Sequence, residues 1–226
     1  MKPQLSIIIP VLDEADTIRA TLHSLAPCRS TSVEVIVVDG GSSDATLEHC
    51  ANLADQVLVA PRGRSRQMNR GAAAASGSVL LFLHADTHLP RDAVALVEQA
   101  LVSGRHDWGR FDVIIEGRSK LLPLIAAMMN RRSRCSGIAT GDQAIFVRKA
   151  VFDALGGFAD QPLMEDIELS KRLRRHGRPA CLVQRVRTSG RRWERDGVWR
   201  TIVLMWRLRF LYWLGVSADR LARAYR

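Results

Sequence analysis

No C-x-x-C pair, no G-x-G-x-x-G loop and no G-K-[ST] loop occurs in this 226-residue chain. Each absence removes a class of function. The four cysteines, Cys28, Cys50, Cys135 and Cys181, are scattered, which argues against a zinc or redox site and leaves free thiols. Without the glycine loops, a nicotinamide-dependent enzyme and a P-loop ATPase are disfavoured. There is no aromatic-glycine ribonucleoprotein box or zinc-finger spacing, so no nucleic-acid partner is expected. No internal repeat and no low-complexity linker interrupts the chain. Met1-Lys2-Pro3-Gln4 leads straight into a strand pattern, and the expectation is a chain without a secretory leader, working in the cytoplasm. A long uninterrupted apolar run is also missing. The most apolar stretch, residues 198–216, is broken by Arg200, Arg207 and Arg209, too often to span a bilayer comfortably.

What is present is ordinary on average and uneven in detail. Hydrophobic residues make up 47% and charged residues 25%, enough for one substantial core. The net charge of +10 belongs to the C-terminal quarter. Residues 171–226 hold 16 Lys/Arg against 3 Asp/Glu, whereas the remainder holds 17 against 20. This asymmetry points to an anionic surface or an anionic substrate. Residues 194–226 read as a basic, Trp-rich helical segment. Trp, Tyr and Arg together suit a helix lying on anionic lipid, which would place the chain peripherally at the inner face of the cytoplasmic membrane. The competing reading is a helix packed on the domain with arginines at its rim.

Apolar strands and amphipathic helices alternate through the first half. Strands are read at Leu5 to Ile9, Val33 to Val38, Gln56 to Val59 and Val79 to Leu83. Helices are read at Glu14 to Leu25, from Ser43-Asp44 onward, at Arg64 to Ala75 and from Pro90-Asp92 to Leu101. That alternation predicts an α/β fold with a mostly parallel sheet covered on both faces. Near Asp107 the pattern changes, without a domain boundary. A longer strand at Trp108 to Glu116, an apolar helix at Leu121 to Met129, a strand at Gln143 to Val147 and a helix at Glu165 to His176 follow.

Carboxylates stand where ligands bind in such sheets, just beyond the strand ends. The second strand ends in D-G-G-S-S-D, residues 39–44, and the fourth runs into L-H-A-D-T-H, residues 83–88. The first strand turns at P-V-L-D-E, residues 10–14, and L-M-E-D-I-E-L, residues 163–169, opens the later helix. In this order the motifs resemble a family 2 glycosyltransferase of the GT-A fold, over roughly Leu5 to Trp193. Residues 63–77, G-R-S-R-Q-M-N-R-G-A-A-A-A-S-G, resemble the segment that follows the third strand in that family.

The resemblance implies transfer of a sugar from a nucleotide-sugar donor, here a UDP- or GDP-sugar, with inversion and with a divalent metal. Residues 1–107 become the nucleotide-sugar-binding half and residues 108–193 the acceptor and catalytic half. Pro10, Leu12, Glu14, Asp39 and Asp44 would surround base and ribose. Arg64, Gln67 and Asn69 would lie on the donor side. Asp142 and Gln143 would line the acceptor side. Asp166 would act as general base and Glu165 would orient the acceptor. Asp86 matches the last acid of the D-x-D motif, a ligand for Mn2+ or Mg2+, but His84 replaces the first acid. Either Asp86 is the sole ligand from this strand or it pairs with His88, and imidazole would favour Mn2+. Arg191 or Arg192 would reach the diphosphate and Trp193 would stack on a sugar. Ser189 stands where processive members carry Gln, so processivity is not implied. The acceptor is unidentified, with a lipid-linked molecule suggested by the basic C-terminus. Two other readings remain at this point: a nucleotidyltransferase, and a non-catalytic nucleotide- or membrane-binding module, which the departure at His84 keeps open.

Overall fold

Four short apolar strands come first, each followed by a segment that carries the chain back across the sheet. The computed structural model describes residues 4–225, so residues 1–3 and 226 of the first and last segments lie outside the described residues. The order is β1 (Leu5–Val11), α1 (Ala15–Ser24), β2 (Val33–Asp39), α2 (Thr46–Cys50), β3 (Gln56–Val59), α3 (Arg64–Ala74), β4 (Val79–Phe82), β5 (Thr87–His88) and α4 (Ala93–Val102). Strands β3, β2, β1 and β4 are adjacent and parallel. β1 and β2 are buried at every position, as strands covered on both faces must be.

The second half completes the sheet with mixed pairing. It contains β6 (Trp108–Glu116), α5 (Leu122–Ser136), β7 (Phe146–Arg148), α6 (Lys149–Ala154), α7 (Glu165–His176) and β8 (Ala180–Ser189). The eight strands run β3-β2-β1-β4-β7-β6-β8-β5. β7 is antiparallel to both β4 and β6, β8 is parallel to β6, and β5 is antiparallel to β8. One core cluster fills the face covered by α1, α4 and α5; the other lies under α3, α6 and α7.

Several boundaries differ from the sequence reading. Gly141–Gln143 is a 3-10 turn rather than the start of a strand, because Thr140 and Gln143 form a reciprocal capping box there. α5 runs past Met129 to Ser136. β8 was not legible as a strand, since Arg185 and Arg187 on its solvent side mask the alternation. The C-terminal segment is three helices rather than one: α8 (Arg191–Asp196), α9 (Val198–Trp213) and α10 (Ala218–Tyr225). The break between α8 and α9 falls at Gly197, whose φ of 83° suits a residue without Cβ.

The inner face of α9 packs on the start of α7. Met164, Ile167, Leu208 and Leu221 form a third cluster, joined by Leu204, Leu211 and Tyr212. A buried charge group fixes α5 on β6. The Arg110 guanidinium, fully buried, donates to Asp112, which also accepts from Arg134 Nη2 at 2.6 Å. Asn130 closes the same seam by accepting the Val113 N–H at 2.9 Å and donating to the Val113 carbonyl at 3.0 Å. Removing one partner from such a group strands a buried charge. Asp112→Ala is therefore expected to lower unfolding free energy by about 3 kcal/mol or more in urea denaturation. A loss under roughly 1 kcal/mol would show that water reaches Arg110 and screens it.

Candidate active site

The carboxyl ends of β1 and β4 open onto a cleft of about 530 Å³. Pro10, Asp13 and Glu14 enter it from β1, and His84 and Asp86 from the segment after β4. Gly141 and Asp142 come from the 3-10 turn, Glu165 and Asp166 from the first turn of α7, and Arg64 from the start of α3. Arg191, Arg192 and Trp193 of α8 complete the wall, with Met205 and Arg209 of α9 and Tyr225 of α10 above them.

Asp166 is a strongly perturbed acid of the cleft. Its carboxylate accepts the Gly141 N–H at 2.9 Å and the Ile167 N–H at 2.7 Å. Burial and the adjoining Glu165 charge nevertheless push its pKa up to about 6, against the two amides and the Arg64 charge. Asp142 behaves oppositely. Burial opposes its charge, but the His84 hydrogen bond and the His84, Arg64 and Arg192 charges hold it below the usual carboxylate range. His84 Nδ1 lies 3.1 Å from Asp142 Oδ1, so the ring donates there. Gly141 lies against the same imidazole, and a Cβ at that position would collide with it.

Arginines answer the acids across the cleft. Arg64 Nη1 is 3.5 Å from Glu165. Burial opposes the Arg64 charge, yet Glu165, Asp142, Asp166 and Asp86 together raise its pKa. Arg191 Nη2 donates to both Glu14 oxygens at 2.7 Å, while its Nε lies 3.4 Å from Asp86. Arg192 stacks over the Tyr225 ring at 3.8 Å and bonds its hydroxyl. Met164, just before Glu165, holds a left-handed φ of 65°, and Asp13 one of 52°. Strained residues of this kind cluster where a site over-determines its backbone.

The structure brings together ten candidate site residues named from sequence: Pro10, Glu14, Arg64, Asp86, Asp142, Glu165, Asp166, Arg191, Arg192 and Trp193. The others do not line the cleft. Asp39 is buried and accepts the Gly41 and Ser42 amides at 2.8 and 3.0 Å. Asp44 ties α1 to α2 by accepting the Ala15 N–H at 3.1 Å. Gln67 Nε2 clamps the ends of β1 and β2 through the Val11 and Val38 carbonyls at 2.7 and 2.8 Å. Asn69 bonds the Phe158 backbone in both directions. Gln143 is buried in its capping box, His88 pairs with Arg187 in the β5–β8 ladder, and Leu12 is half-buried outside the cleft. Arg195, Arg209 and Tyr225 are cleft residues that sequence reasoning did not single out. Only the basic bias of the C-terminus hinted at them.

A divalent cation fits this donor set in a limited way. Among the described residues no group of three His, Cys, Asp or Glu side chains converges on one point. Asp86, at 18% side-chain exposure, presents a hard oxygen to the cleft. Such cations commonly take one or two carboxylates and fill the remaining positions with substrate phosphate and water.

The Asp166 environment is testable before any substrate is known. Glu165→Gln is expected to lower the Asp166 pKa and Arg64→Met to raise it, read by carboxyl-carbon NMR titration. If neither moved it, desolvation alone would set the value.

The family profile described as Glycosyl transferase family 2 matches residues 6–150. A PGL/p-HBAD biosynthesis glycosyltransferase of Mycobacterium bovis is 33% identical over 171 residues, which cover 69% of this chain and 63% of that protein. The probable glycosyltransferase YdaM of Bacillus subtilis is 27% identical over 195 residues, covering 76% and 46%. Among solved structures, Staphylococcus aureus TarS 1-349 superposes with a TM-score of 0.65 at 19% identity, covering 84% of this chain and 61% of that one. Mannosyltransferase PcManGT from Pyrobaculum calidifontis gives 0.65 at 19%, covering 83% and 57%. These likenesses establish the GT-A fold expected from the motifs, and with the profile spanning more than half of its length, the chain belongs to glycosyl transferase family 2.

Proposed function

We propose that this chain transfers a sugar from a nucleotide-diphosphate donor to an acceptor hydroxyl, inverting the anomeric centre, with Asp166 as general base. The observation that carries this reading is Asp166 itself. It is a cleft carboxylate with its pKa raised to about 6, fixed by two backbone amides. A base of that strength takes a hydroxyl proton efficiently near neutrality. Asp166 removes the proton as the acceptor oxygen bonds to the anomeric carbon, and the nucleotide diphosphate leaves with the electrons of the broken bond. Glu165, buried and paired with Arg64, holds the base loop, and its charge raises the basicity of Asp166.

Pro10 and Glu14 are proposed to meet the nucleoside, with Asp39, Asp44 and Gln67 holding the loops behind them. Arg64, Arg191 and Arg192 are the cations available to the diphosphate. Asp86 would hold a Mn2+ or Mg2+ ion, which when bound neutralises charge on the leaving diphosphate. The structural relatives support the donor class: TarS is described with UDP-GlcNAc, and PcManGT with GDP-Man and Mn2+.

We also propose peripheral contact with anionic lipid through residues 194–226. Among the described residues no helix is long and apolar enough to cross a membrane. One face of α9 nevertheless presents Trp199, Val203, Trp206, Phe210 and Trp213, all exposed, beside Arg200 and Arg207. Aromatics and arginines in this arrangement suit a helix at a lipid interface.

With a panel of UDP- and GDP-sugars and Mn2+, nucleotide diphosphate release is expected for at least one donor. Transfer should fall as pH drops through about 6, where Asp166 gains its proton. Asp166→Asn should reduce transfer by roughly a thousandfold while donor binding persists. Absence of release and of nucleotide-dependent thermal shift with every donor would sink the reading. For the lipid contact, the pair Trp199→Glu and Trp213→Glu should abolish co-sedimentation with phosphatidylserine vesicles at low salt. Sedimentation equal to wild type would remove the proposed contact.

A further inference from the structure

Beside the cleft lies a second hollow, between α5 and α9, of about 590 Å³. Six residues line it, three apolar (Val203, Trp206, Phe210) and three cationic (Arg132, Arg207, Arg209). No acid is among them. It is a shallow surface groove, wide open to solvent, rather than an enclosed pocket. Arg209 lines both this groove and the cleft that holds Asp166, so the two are neighbours.

Arg132 is the unusual member. Its Nη2 is buried and, among the described residues, has no hydrogen-bond partner. A guanidinium N–H removed from water without an acceptor is destabilising unless a ligand supplies one. Burial lowers the Arg132 pKa, while the Asp166 and Asp142 charges oppose this, which ties the guanidinium electrostatically to the catalytic side of the cleft.

We propose that this groove anchors the acceptor, and that the acceptor is an amphiphile carrying a phosphate next to an alkyl or prenyl chain. The inference rests on the transferase reading above and names its acceptor class. The chain lies along Val203, Trp206 and Phe210. The phosphate meets Arg132, Arg207 and Arg209, whose charges it complements. The hydroxyl to be glycosylated extends past Arg209 towards Asp166. A second copy of this chain is a poorer occupant, because it would face this arginine set with its own.

Calorimetric titration with octyl phosphate below its micellar range tests the proposal, with octanol and inorganic phosphate as controls. Octyl phosphate should bind about tenfold or more tighter than either control, because only it engages both halves of the groove. Trp206→Ala and Arg132→Gln should each weaken octyl phosphate about tenfold. Trp206 is exposed, so its variant should fold. Binding unaffected by Trp206→Ala would place the phosphate in the cleft and overturn the proposal. Inorganic phosphate binding as tightly as octyl phosphate would overturn the amphiphile, and octanol doing so would overturn the phosphate. Donor turnover is scored separately, so a failure of the transferase reading leaves a distinct signature: groove binding without nucleotide release.

Discussion

A three-residue turn, Gly141–Gln143, ties together three of the elements that surround the cleft. Its first amide holds Asp166, which belongs to α7. Its second residue, Asp142, accepts a hydrogen bond from His84, which follows β4. Its third, Gln143, donates to Asn130 of α5 at 3.4 Å and closes the capping box with Thr140. One turn therefore sets the distance between the end of the parallel half-sheet and the helix carrying the candidate base. The tolerance is small, because Gly141 already lies against the His84 ring and has no room for a Cβ. This arrangement also accounts for the histidine at position 84. A carboxylate there would face the Asp142 carboxylate, and the two would repel in a partly buried site. Imidazole turns that repulsion into a hydrogen bond.

The second constraint is charge balance. Glu14, Asp86, Asp142, Glu165 and Asp166 converge with Arg64, Arg191 and Arg192 on one cleft. Desolvated charges are costly unless paired, and here most are: Arg191 with Glu14 and Asp86, Arg64 with Glu165, His84 with Asp142. Asp166 is held by amides alone and sits next to Glu165, which leaves it the carboxylate whose pKa rises. The same pairing has a consequence for ligands. A diphosphate that recruits Arg191 must compete with Glu14 and Asp86, so donor binding and the freeing of Asp86 are linked.

Much of the frame was legible in the sequence because it depends on local pattern. The wholly buried, mostly apolar β1 and β2, the β6 run and the amphipathic α7 carry their signal within a few residues. Acids after strand ends mark a ligand site by position alone, which is how Asp86 was singled out, whereas Glu165-Asp166, at the start of a helix, was named only through the family resemblance. Gln67 and Asn69 show where this stops. Both lie in a motif of suggestive composition, yet their amides bond to backbone 29 to 89 residues away, and no local pattern reports such a partner. Strand β8 was hidden for a related reason. Its outward arginines, Arg185 and Arg187, interrupt the apolar alternation, and only the β6 ladder makes them the solvent side of a strand.

The C-terminal helices alter how the cleft should be viewed. α9 exposes Trp199, Trp206 and Trp213 on one face and buries Leu208 on the other. Leu208 packs against Met164 and Ile167, the residues that flank the Glu165-Asp166 pair. Met164 already carries a left-handed backbone, so the first turn of α7 depends on that packing to stay where it is. Tyr225 of α10 holds Arg192 from above. The segment is therefore both the outer surface and the roof of the site. Whatever binds the tryptophan face presses on the helix that positions Asp166, and geometry at the candidate base and contact at the outer face are parts of one packed unit.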